Sequence, residues 1–262
     1  MDADVTTNAN EPSSLQPSSG SSAADEFIEI VKTIAYALGI ALVLRVLLFQ
    51  PFTIPSGSMI PNLAVGDYII VTKYSYGYSR HSIPFSPPIF KGRILARQPH
   101  RGDIVVFKDT KDNRTDYIKR LIGLPGDRIQ VADGVVYLNN KALPQKVLPV
   151  ENNSEYTGVT KMEETLPNGR HYITQDTWPN GQTDNTGVYL VPQGYYFFMG
   201  DNRDNSADSR VPQVEGGVGF VPAENLVGRA RIILFSWDGA KLYNPLTWFT
   251  KARLSRFFHS LK

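Results

Sequence analysis

The most informative stretch for the fold is TDYIKRLIGLPGD, residues 115–127. Its first part is apolar and rich in Ile, Leu and Tyr, and Gly, Pro and Asp end it within a few residues. This pattern is typical of a β-strand followed by a turn. Because strand residues alternate between two faces, Lys119 shares a face with Tyr117 and Leu121, while Arg120 points to the other side. The stretch therefore predicts a strand with one lysine among apolar neighbours.

Five further runs have the same character, and they lie on both sides of this stretch. They are DYIIVTKYSYGY (67–78), GDIVVFK (102–108), DRIQVADGVVYLNN (127–140), GYYFFMG (194–200) and VGRARIILFSW (227–237). Each is rich in Val, Ile, Tyr or Phe and is bounded by turn residues, and Asp133-Gly134 predicts a hairpin turn. We therefore expect a mainly β fold. Residues 79–100 and 144–190 are richer in Pro, Gly, Asn and polar residues, which predicts insertions or a looser second domain.

The most apolar part of the chain is FIEIVKTIAYALGIALVLRVLLF, residues 27–49. As a helix it would span roughly 34 Å, enough to cross a bilayer core. We interpret it as a membrane anchor, and a buried core helix is the alternative. A cleaved signal peptide is disfavoured, because no basic segment precedes the run and Phe49-Gln50-Pro51 follows it instead of a small-x-small site. The flanking charges do not fix its orientation, since residues 1–26 contain no Lys or Arg.

Composition excludes several classes of function. The chain of 262 residues has no cysteine, so a disulfide framework, a thiol nucleophile and a Cys-ligated metal are impossible. Its net charge of +2 is far from the strongly basic balance of nucleic-acid-binding proteins. The first 26 residues are acidic and rich in Ser, Pro and Ala, which predicts a disordered tail.

The loop PFTIPSGSMIP, residues 51–61, follows the apolar run directly. Ser58 lies nine residues after Phe49, so it is within roughly 30 Å of the predicted anchor. A turn whose serines bond their own backbone is one interpretation, and a nucleophilic serine is the other. Nucleophilic catalysis needs a base. None of the four histidines has a neighbouring aspartate in a suitable sequence context, so a Ser-His-Asp site is open but unsupported. Lys119 is the alternative base if burial lowers its pKa; a lysine that extends to solvent is the competing interpretation.

A third group of polar residues is MGDNRDNSADSR, residues 199–210. Counted from Asn202, its oxygen-bearing side chains resemble a calcium loop. However, the sixth position is Ala207 instead of Gly, and the twelfth is Gln213 instead of Glu. We therefore interpret the segment as a scaffold of ion pairs and hydrogen bonds, in which a hydroxyl such as that of Ser206 can orient a lysine amine.

Together these motifs resemble a known family. An N-terminal anchor, PSGSM followed by Pro61-Asn62-Leu63, RGDIVVF at 101–107, YIKRLIGLPGD at 117–127 and GDNRDNSADSR at 200–210 occur in the order found in the type I signal peptidases of bacteria and organelles. The resemblance covers most of residues 27–237. It implies a largely β fold shared with LexA-type self-cleaving repressors, carried on an N-terminal transmembrane helix. It also implies a membrane-bound endopeptidase that removes signal peptides from exported precursor proteins, with its catalytic domain on the non-cytoplasmic side and with no metal or cofactor.

The same resemblance implies a role for individual residues. Ser58 resembles the nucleophile and Lys119 the general base of a Ser–Lys dyad. The Ser56 hydroxyl and the Ser58 N–H resemble the oxyanion hole, and Ser206 resembles the residue that hydrogen-bonds the lysine amine. The supporting network corresponds to Asp201, Arg203, Asp208, Arg210 and Arg120.

The predicted organisation follows from these segments. It comprises a disordered acidic tail at 1–26, a transmembrane anchor at 27–49, a catalytic β domain at 50–131 and 196–237, a second β domain inserted at 132–195, and a basic tail at 238–262. The last segment is amphipathic as a helix and compatible either with an anionic membrane surface or with a solvated terminus. Two other functions remain open. One is a LexA-like self-cleaving regulator, although no DNA-binding module is evident, and the other is a membrane-tethered scaffold without activity.

Overall fold

The computed structural model describes residues 22–149, 159–178, 180–239 and 250–261. The predicted disorder of residues 1–21 and the first part of the predicted basic tail, residues 240–249, lie outside the described residues. The chain divides into two compact units, Met1–Leu42 and Val43–Lys262.

The long α-helix of the chain, α1, spans Ala23–Leu47. Ser22 begins it, because the Ser22 hydroxyl accepts a hydrogen bond from the Asp25 N–H while the Asp25 carboxylate accepts one from the Ser22 N–H, each at 3.2 Å. No residue of α1 is buried, and the helix is long and apolar enough to cross a bilayer. The sequence assigned residues up to 26 to the disordered tail, which is wrong for residues 23–26 because they already belong to α1. It also placed the end of this helix at Phe49. That is wrong by two residues, because Pro51 opposes helix continuation and Phe49 already pairs with Thr72 in a sheet.

The rest of the described chain is mainly β, which confirms the predicted fold class. The strands are β1 Phe49–Thr53, β2 Asp67–Thr72, β3 Ile104–Lys108, β4 Asp116–Gly123, β5 Arg128–Ala132, β6 Val135–Leu138, β7 Lys141–Ala142, β8 Gln145–Val147, β9 Thr160–Thr165, β10 His171–Asp176, β11 Tyr189–Leu190, β12 Tyr195–Met199, β13 Val221–Pro222, β14 Leu226–Ser236 and β15 His259–Ser260. Short 3-10 helices span Lys73–Ser75, Arg80–Ser82, Gln213–Glu215, Ala223–Asn225 and Leu254–Arg256.

The largest sheet has eight strands, in the order β1-β2-β14-β3-β4-β12-β13, with β15 also paired to β14. All of its pairings are antiparallel. Its core includes Ile54, Met59 and Leu63 from the loop after β1, packed with residues of β2, β3 and β14. The sheet therefore fixes the loop that carries Ser58 beside the strand that carries Lys119.

Two smaller sheets are formed by the intervening part of the chain. One has the order β10-β9-β8 and the other β11-β5-β6-β7. Strands β5 and β6 form the hairpin predicted at Asp133-Gly134, where both residues have the positive φ that a type I′ turn requires (49° and 74°). The predicted domain boundaries at 132 and 195 remain a proposal.

The end of the chain differs from the helix that its amphipathic pattern suggested. Within residues 250–261 the structure has the 3-10 helix Leu254–Arg256 and strand β15, which pairs with Ile232 and Ile233 of β14. Leu261 is buried in the core beside these strands, and Arg256 binds the buried Asp67 carboxylate at 2.6 Å. Neither the amphipathic helix nor the solvated terminus that the sequence left open describes residues 251–261, because strand pairing and a buried ion pair with distant parts of the chain outweigh a local periodicity.

Candidate active site

Ser58 lies in the loop between β1 and β2. The neighbouring Ile54 and Met59 side chains are buried in the core, which anchors the loop on both sides of the serines. Ser58 is buried, whereas Ser56 is exposed. The loop therefore presents one hydroxyl to the interior of the site and a second hydroxyl at its edge.

Lys119 lies in the middle of β4, and its side chain points at Ser58. Its Nζ donates a hydrogen bond to the Ser58 Oγ at 2.7 Å and a second one to the Ile118 carbonyl at 3.2 Å. The amine also lies 5.7 Å from the centre of the Tyr117 ring. Lys119 is only 3% exposed. The structure thus brings together the two residues that the sequence singled out from segments 61 positions apart.

Burial lowers the pKa of the Lys119 amine to about 8, against the opposing effect of the Asp208 and Asp201 carboxylates. An amine with this pKa is neutral in about one molecule in ten at pH 7, whereas a solvated lysine is neutral in fewer than one in a thousand. The arrangement can therefore supply a free amine that accepts the proton of the neighbouring hydroxyl.

Two carbonyl groups of the Ser58 loop are held by one residue. The Asn202 N–H donates to the Ser58 carbonyl and the Asn202 Nδ2 donates to the Gly57 carbonyl, both at 3.1 Å. Within the part of the chain that the structure describes, no hydrogen bond uses the Ser58 N–H as donor. The Ser56 Oγ lies 3.4 Å from the Ser58 Oγ. A free N–H and a nearby hydroxyl at the same point can stabilise an oxyanion.

The close approach of two segments requires a glycine at position 200. A Cβ at Gly200 would lie 2.6 Å from the Ser58 carbonyl oxygen and 2.2 Å from the Ser206 Oγ. The Ser206 Oγ is buried, but it has no hydrogen-bond partner among the described residues. The structure therefore places Ser206 beside the site without forming the predicted bond to Lys119.

The remaining predicted residues form buried ion pairs. Arg120 binds both oxygens of Asp201 at 2.7 Å, and Arg210 binds Asp208 at 2.9 Å. Arg203 instead pairs with Glu164 of β9 at 2.7 Å. The Asp208 carboxylate also accepts the Gly200 N–H at 2.9 Å, and Arg210 keeps the pKa of this carboxyl low in spite of its burial.

Sequence reasoning missed four residues that contact this network: Asn62, Glu164, Tyr172 and Asn202. For Asn202 an amide next to an aspartate in a scaffold loop was a usable signal, whereas Asn62 lies between Pro61 and Leu63, where no neighbour indicates a contact with the site. Glu164 and Tyr172 gave no such signal, because they lie in the segment 144–190 that the sequence predicts to be an insertion or a looser second domain. They contact the site network only because the folded chain brings distant segments together.

Three carboxylates, one of them in the polar segment 199–210, lie close enough together to have the spacing of a metal site. The side chains of Asp176, Asp184 and Asp204 have oxygens within 4.8 Å of one another. Burial and the adjacent Asp204 raise the pKa of Asp176 to about 6. Asp204 also accepts the Thr177 and Trp178 N–H groups at 2.6 and 2.8 Å. The three carboxylates therefore form an acidic cluster in which the raised pKa of Asp176 favours its protonated form, and the geometry alone assigns the cluster no ligand.

Comparison with known proteins gives a consistent result. A family model described as signal peptidase, peptidase S26, matches residues 27–237. Signal peptidase I of Rickettsia typhi is 46% identical over 244 residues, covering 86% of this chain and 90% of that protein. Signal peptidase I of Rickettsia akari is 45% identical over 245 residues, covering 87% and 90%.

Among solved structures, the crystal structure of a signal peptidase I from Enterococcus faecalis is 28% identical. It covers 51% of this chain and 97% of that chain, with a TM-score of 0.30. The family model and the curated relatives each extend over most of the sequence, and they show that this chain belongs to the signal peptidase I family, peptidase S26.

Proposed function

We propose that this chain is a membrane-anchored endopeptidase that removes N-terminal signal peptides from exported precursor proteins, with Ser58 as nucleophile and Lys119 as general base. The observation that carries the proposal is the 2.7 Å hydrogen bond from a buried lysine amine to the Ser58 hydroxyl. Family membership supports the activity. The burial that lowers the pKa of Lys119 to about 8 supports its role as a base.

The proposed reaction begins when the neutral Lys119 amine takes the Ser58 proton. The Ser58 Oγ attacks the scissile carbonyl carbon, and the Ser58 N–H and Ser56 hydroxyl stabilise the resulting oxyanion. The Lys119 ammonium then gives its proton to the leaving amine, which releases the mature protein and leaves the signal peptide as an ester on Ser58. In the second half, Lys119 takes a proton from water, and the hydroxide attacks the ester. The proton returns to Ser58 as the signal peptide leaves.

Helix α1 is the proposed anchor, and the catalytic part is proposed to lie on the non-cytoplasmic side. The helix has the length and composition of a membrane span, and translocated precursors are met on that side. In this account residues 50–131 and 196–237 form the catalytic domain, and residues 132–195 are inserted into it. Protease added to sealed vesicles of known orientation tests the topology. Digestion of the β part only from the cytoplasmic face would contradict it.

Incubation of the detergent-solubilised chain with an exported precursor tests the activity. We expect one new amino terminus immediately after a small-x-small sequence, and no cleavage by a Ser58→Ala variant that retains the wild-type unfolding temperature. Cleavage by Ser58→Ala would remove Ser58 as the nucleophile. An intact precursor with a self-cleaved enzyme would instead favour the self-cleaving regulator.

A further inference from the structure

Glu164 is a fully buried carboxylate that lies outside the eight-stranded sheet that bears the Ser–Lys pair. It belongs to β9, in the sheet β10-β9-β8. Its two oxygens bind both terminal nitrogens of Arg203, at 2.7 and 3.0 Å. The Tyr172 hydroxyl donates to the same carboxylate, and the Gln145 Nε2 donates to it at 3.1 Å. Glu164 is therefore ionised, oriented and supplied with donors on both oxygens.

Stability alone does not explain this arrangement. Removing a carboxylate and a guanidinium from water is costly, and a pair of well-packed apolar side chains is often at least as stable as a buried ion pair. In some proteins a buried pair of this kind fixes one geometry out of several. The backbone contacts of Arg203 and of the two residues before it show which part of the site the pair holds.

One arm of the network leads from Glu164 to the Ser58 loop through the backbone. The Arg203 N–H donates to the Gln175 carbonyl at 2.8 Å, and the Gln175 N–H donates to the Asp201 carbonyl at 2.8 Å. Residue 202 is thus held against the end of β10 by hydrogen bonds on both sides. From this position Asn202 binds the carbonyls of Gly57 and Ser58.

A second arm starts at Tyr172, whose hydroxyl binds Glu164 and whose ring lies 4.1 Å from the Arg120 guanidinium carbon. Arg120 in turn holds both oxygens of Asp201, the residue on the other side of Asn202. The Asn62 Nδ2 joins this arm, because it donates to Asp201 at 2.8 Å and to the Ile173 carbonyl at 2.6 Å. Both neighbours of Asn202 are therefore connected to Glu164.

We propose that Glu164 is a positioning residue for the nucleophile. It holds Arg203 directly and Arg120 through Tyr172, and these two arginines fix the segment that contains Asn202. Asn202 in turn fixes the two carbonyls of the Ser58 loop, and with them the direction of the Ser58 N–H and Oγ. This proposal rests on the proposed function. It gives the sheet β10-β9-β8 a part in the reaction, although none of its residues touches the Ser–Lys pair.

The first test replaces the carboxylate by an amide of the same shape in Glu164→Gln. Its matched control is Glu163→Gln, the same change at the adjacent position of β9, which faces the other side of the strand. We expect kcat for a precursor peptide to fall by about 10- to 100-fold in Glu164→Gln with KM within about twofold, because a small misplacement of the nucleophile costs this much. Glu163→Gln should match the wild type. A wild-type kcat in a folded Glu164→Gln enzyme would overturn the proposal.

The second test separates positioning from stability with the double variant Glu164→Met, Arg203→Met, which replaces the ion pair by two apolar side chains. We expect a kcat as low as that of Glu164→Gln, with an unfolding temperature lowered only by the lost acceptor of the Tyr172 hydroxyl and the Gln145 amide. If the double variant regains wild-type kcat together with stability, the pair is only structural and the proposal fails.

Tyr172→Phe keeps the ring over Arg120 and removes only the hydroxyl, so it covers the case in which the other variants do not fold. It should lower kcat by about three- to tenfold with KM unchanged, and an unchanged kcat would count against the second arm. In every assay wild type and Ser58→Ala are measured alongside. Activity in Ser58→Ala refutes the proposed function, whereas wild-type activity in the Glu164 variants refutes only this inference.

Discussion

Replacing Lys119 by methionine should abolish catalysis and at the same time stabilise the protein. Methionine has a similar length and no charge, so Lys119→Met removes the amine while filling most of its space. Burial holds the pKa of this amine at about 8, compared with 10.5 for an ordinary lysine. The folded state therefore binds the lysine proton less tightly than the unfolded chain does, and the buried amine opposes folding wherever the unfolded chain is protonated.

The direction and size of the effect follow from these two values. The penalty is complete below the folded-state pKa and disappears as the pH rises above the unfolded-state value. A difference of 2.5 pKa units corresponds to about 3 kcal/mol at pH 7 and to about 1 kcal/mol at pH 9.5. Loss of the hydrogen bond to Ser58 reduces the gain by about 1 kcal/mol at either pH. We thus expect Lys119→Met to be more stable by about 2 kcal/mol at pH 7, with nearly all of that advantage lost at pH 9.5.

Urea unfolding of the full chain in detergent, followed by tryptophan fluorescence at both pH values, measures this difference. Lys141→Met is the matched control, because Lys141 is an exposed lysine on β7 and the same substitution there relieves no burial of an amine. Precursor cleavage by Lys119→Met should fall by at least about 100-fold at every pH. A stability difference that does not change between pH 7 and 9.5 would mean that the Lys119 amine is solvated, and the argument for a neutral base would fail.

Three further predictions concern the same site and its surroundings. The wild-type kcat/KM should decrease as the pH is lowered through about 8, because burial lowers the pKa of Lys119 to this value. Lys119→Arg should be inactive, because a guanidinium stays protonated. An acid limb of the pH profile near 10, or an active arginine variant, would point to another base. Ser56→Ala should lower kcat by about 10²- to 10³-fold while leaving some activity, as expected for one lost oxyanion donor, and an unchanged kcat would assign that donor elsewhere. Burial and Asp204 raise the pKa of Asp176 to about 6, so the contribution of this carboxyl to stability is complete below the ordinary aspartate pKa and is lost as the pH rises through 6. Asp176→Asn should therefore raise the unfolding temperature at pH 7.5 more than at pH 4.5, and an equal shift at both pH values would argue against a raised pKa.

The parts of the fold that could be predicted are those determined by neighbours along the chain. The apolar run around Lys119 forms β4, and Asp133-Gly134 forms the hairpin between β5 and β6, because side-chain alternation and turn geometry are local properties. The end of the helix and the last residues could not be predicted in this way. Phe49 joins a strand because Thr72 pairs with it, and Leu261 is buried because β14 accepts a further strand.

The candidate site shows the same division. Ser58 and Lys119 could be singled out because each has an unusual local setting, a serine in a constrained loop and a lysine in an apolar strand. The distance between them and the pairing of Arg203 with Glu164 depend on the folded sheets, since those partners are 61 and 39 residues apart. Ser206 differs from its prediction, because its hydroxyl has no hydrogen-bond partner among the described residues. A loop rich in hydrogen-bonding groups indicates a scaffold, but the sequence does not specify which hydroxyl contacts which amine.

The most direct test of the central claim, that the Ser58 hydroxyl is the nucleophile activated by Lys119, uses the absence of cysteine from the chain. In Ser58→Cys the only thiol of the protein stands where the hydroxyl was. We predict that this variant cleaves precursor slowly, that iodoacetamide abolishes the cleavage as mass spectrometry shows one carboxamidomethyl group on residue 58, and that the wild-type enzyme is unaffected by the same treatment. Cleavage that persists in fully alkylated Ser58→Cys would contradict the assignment.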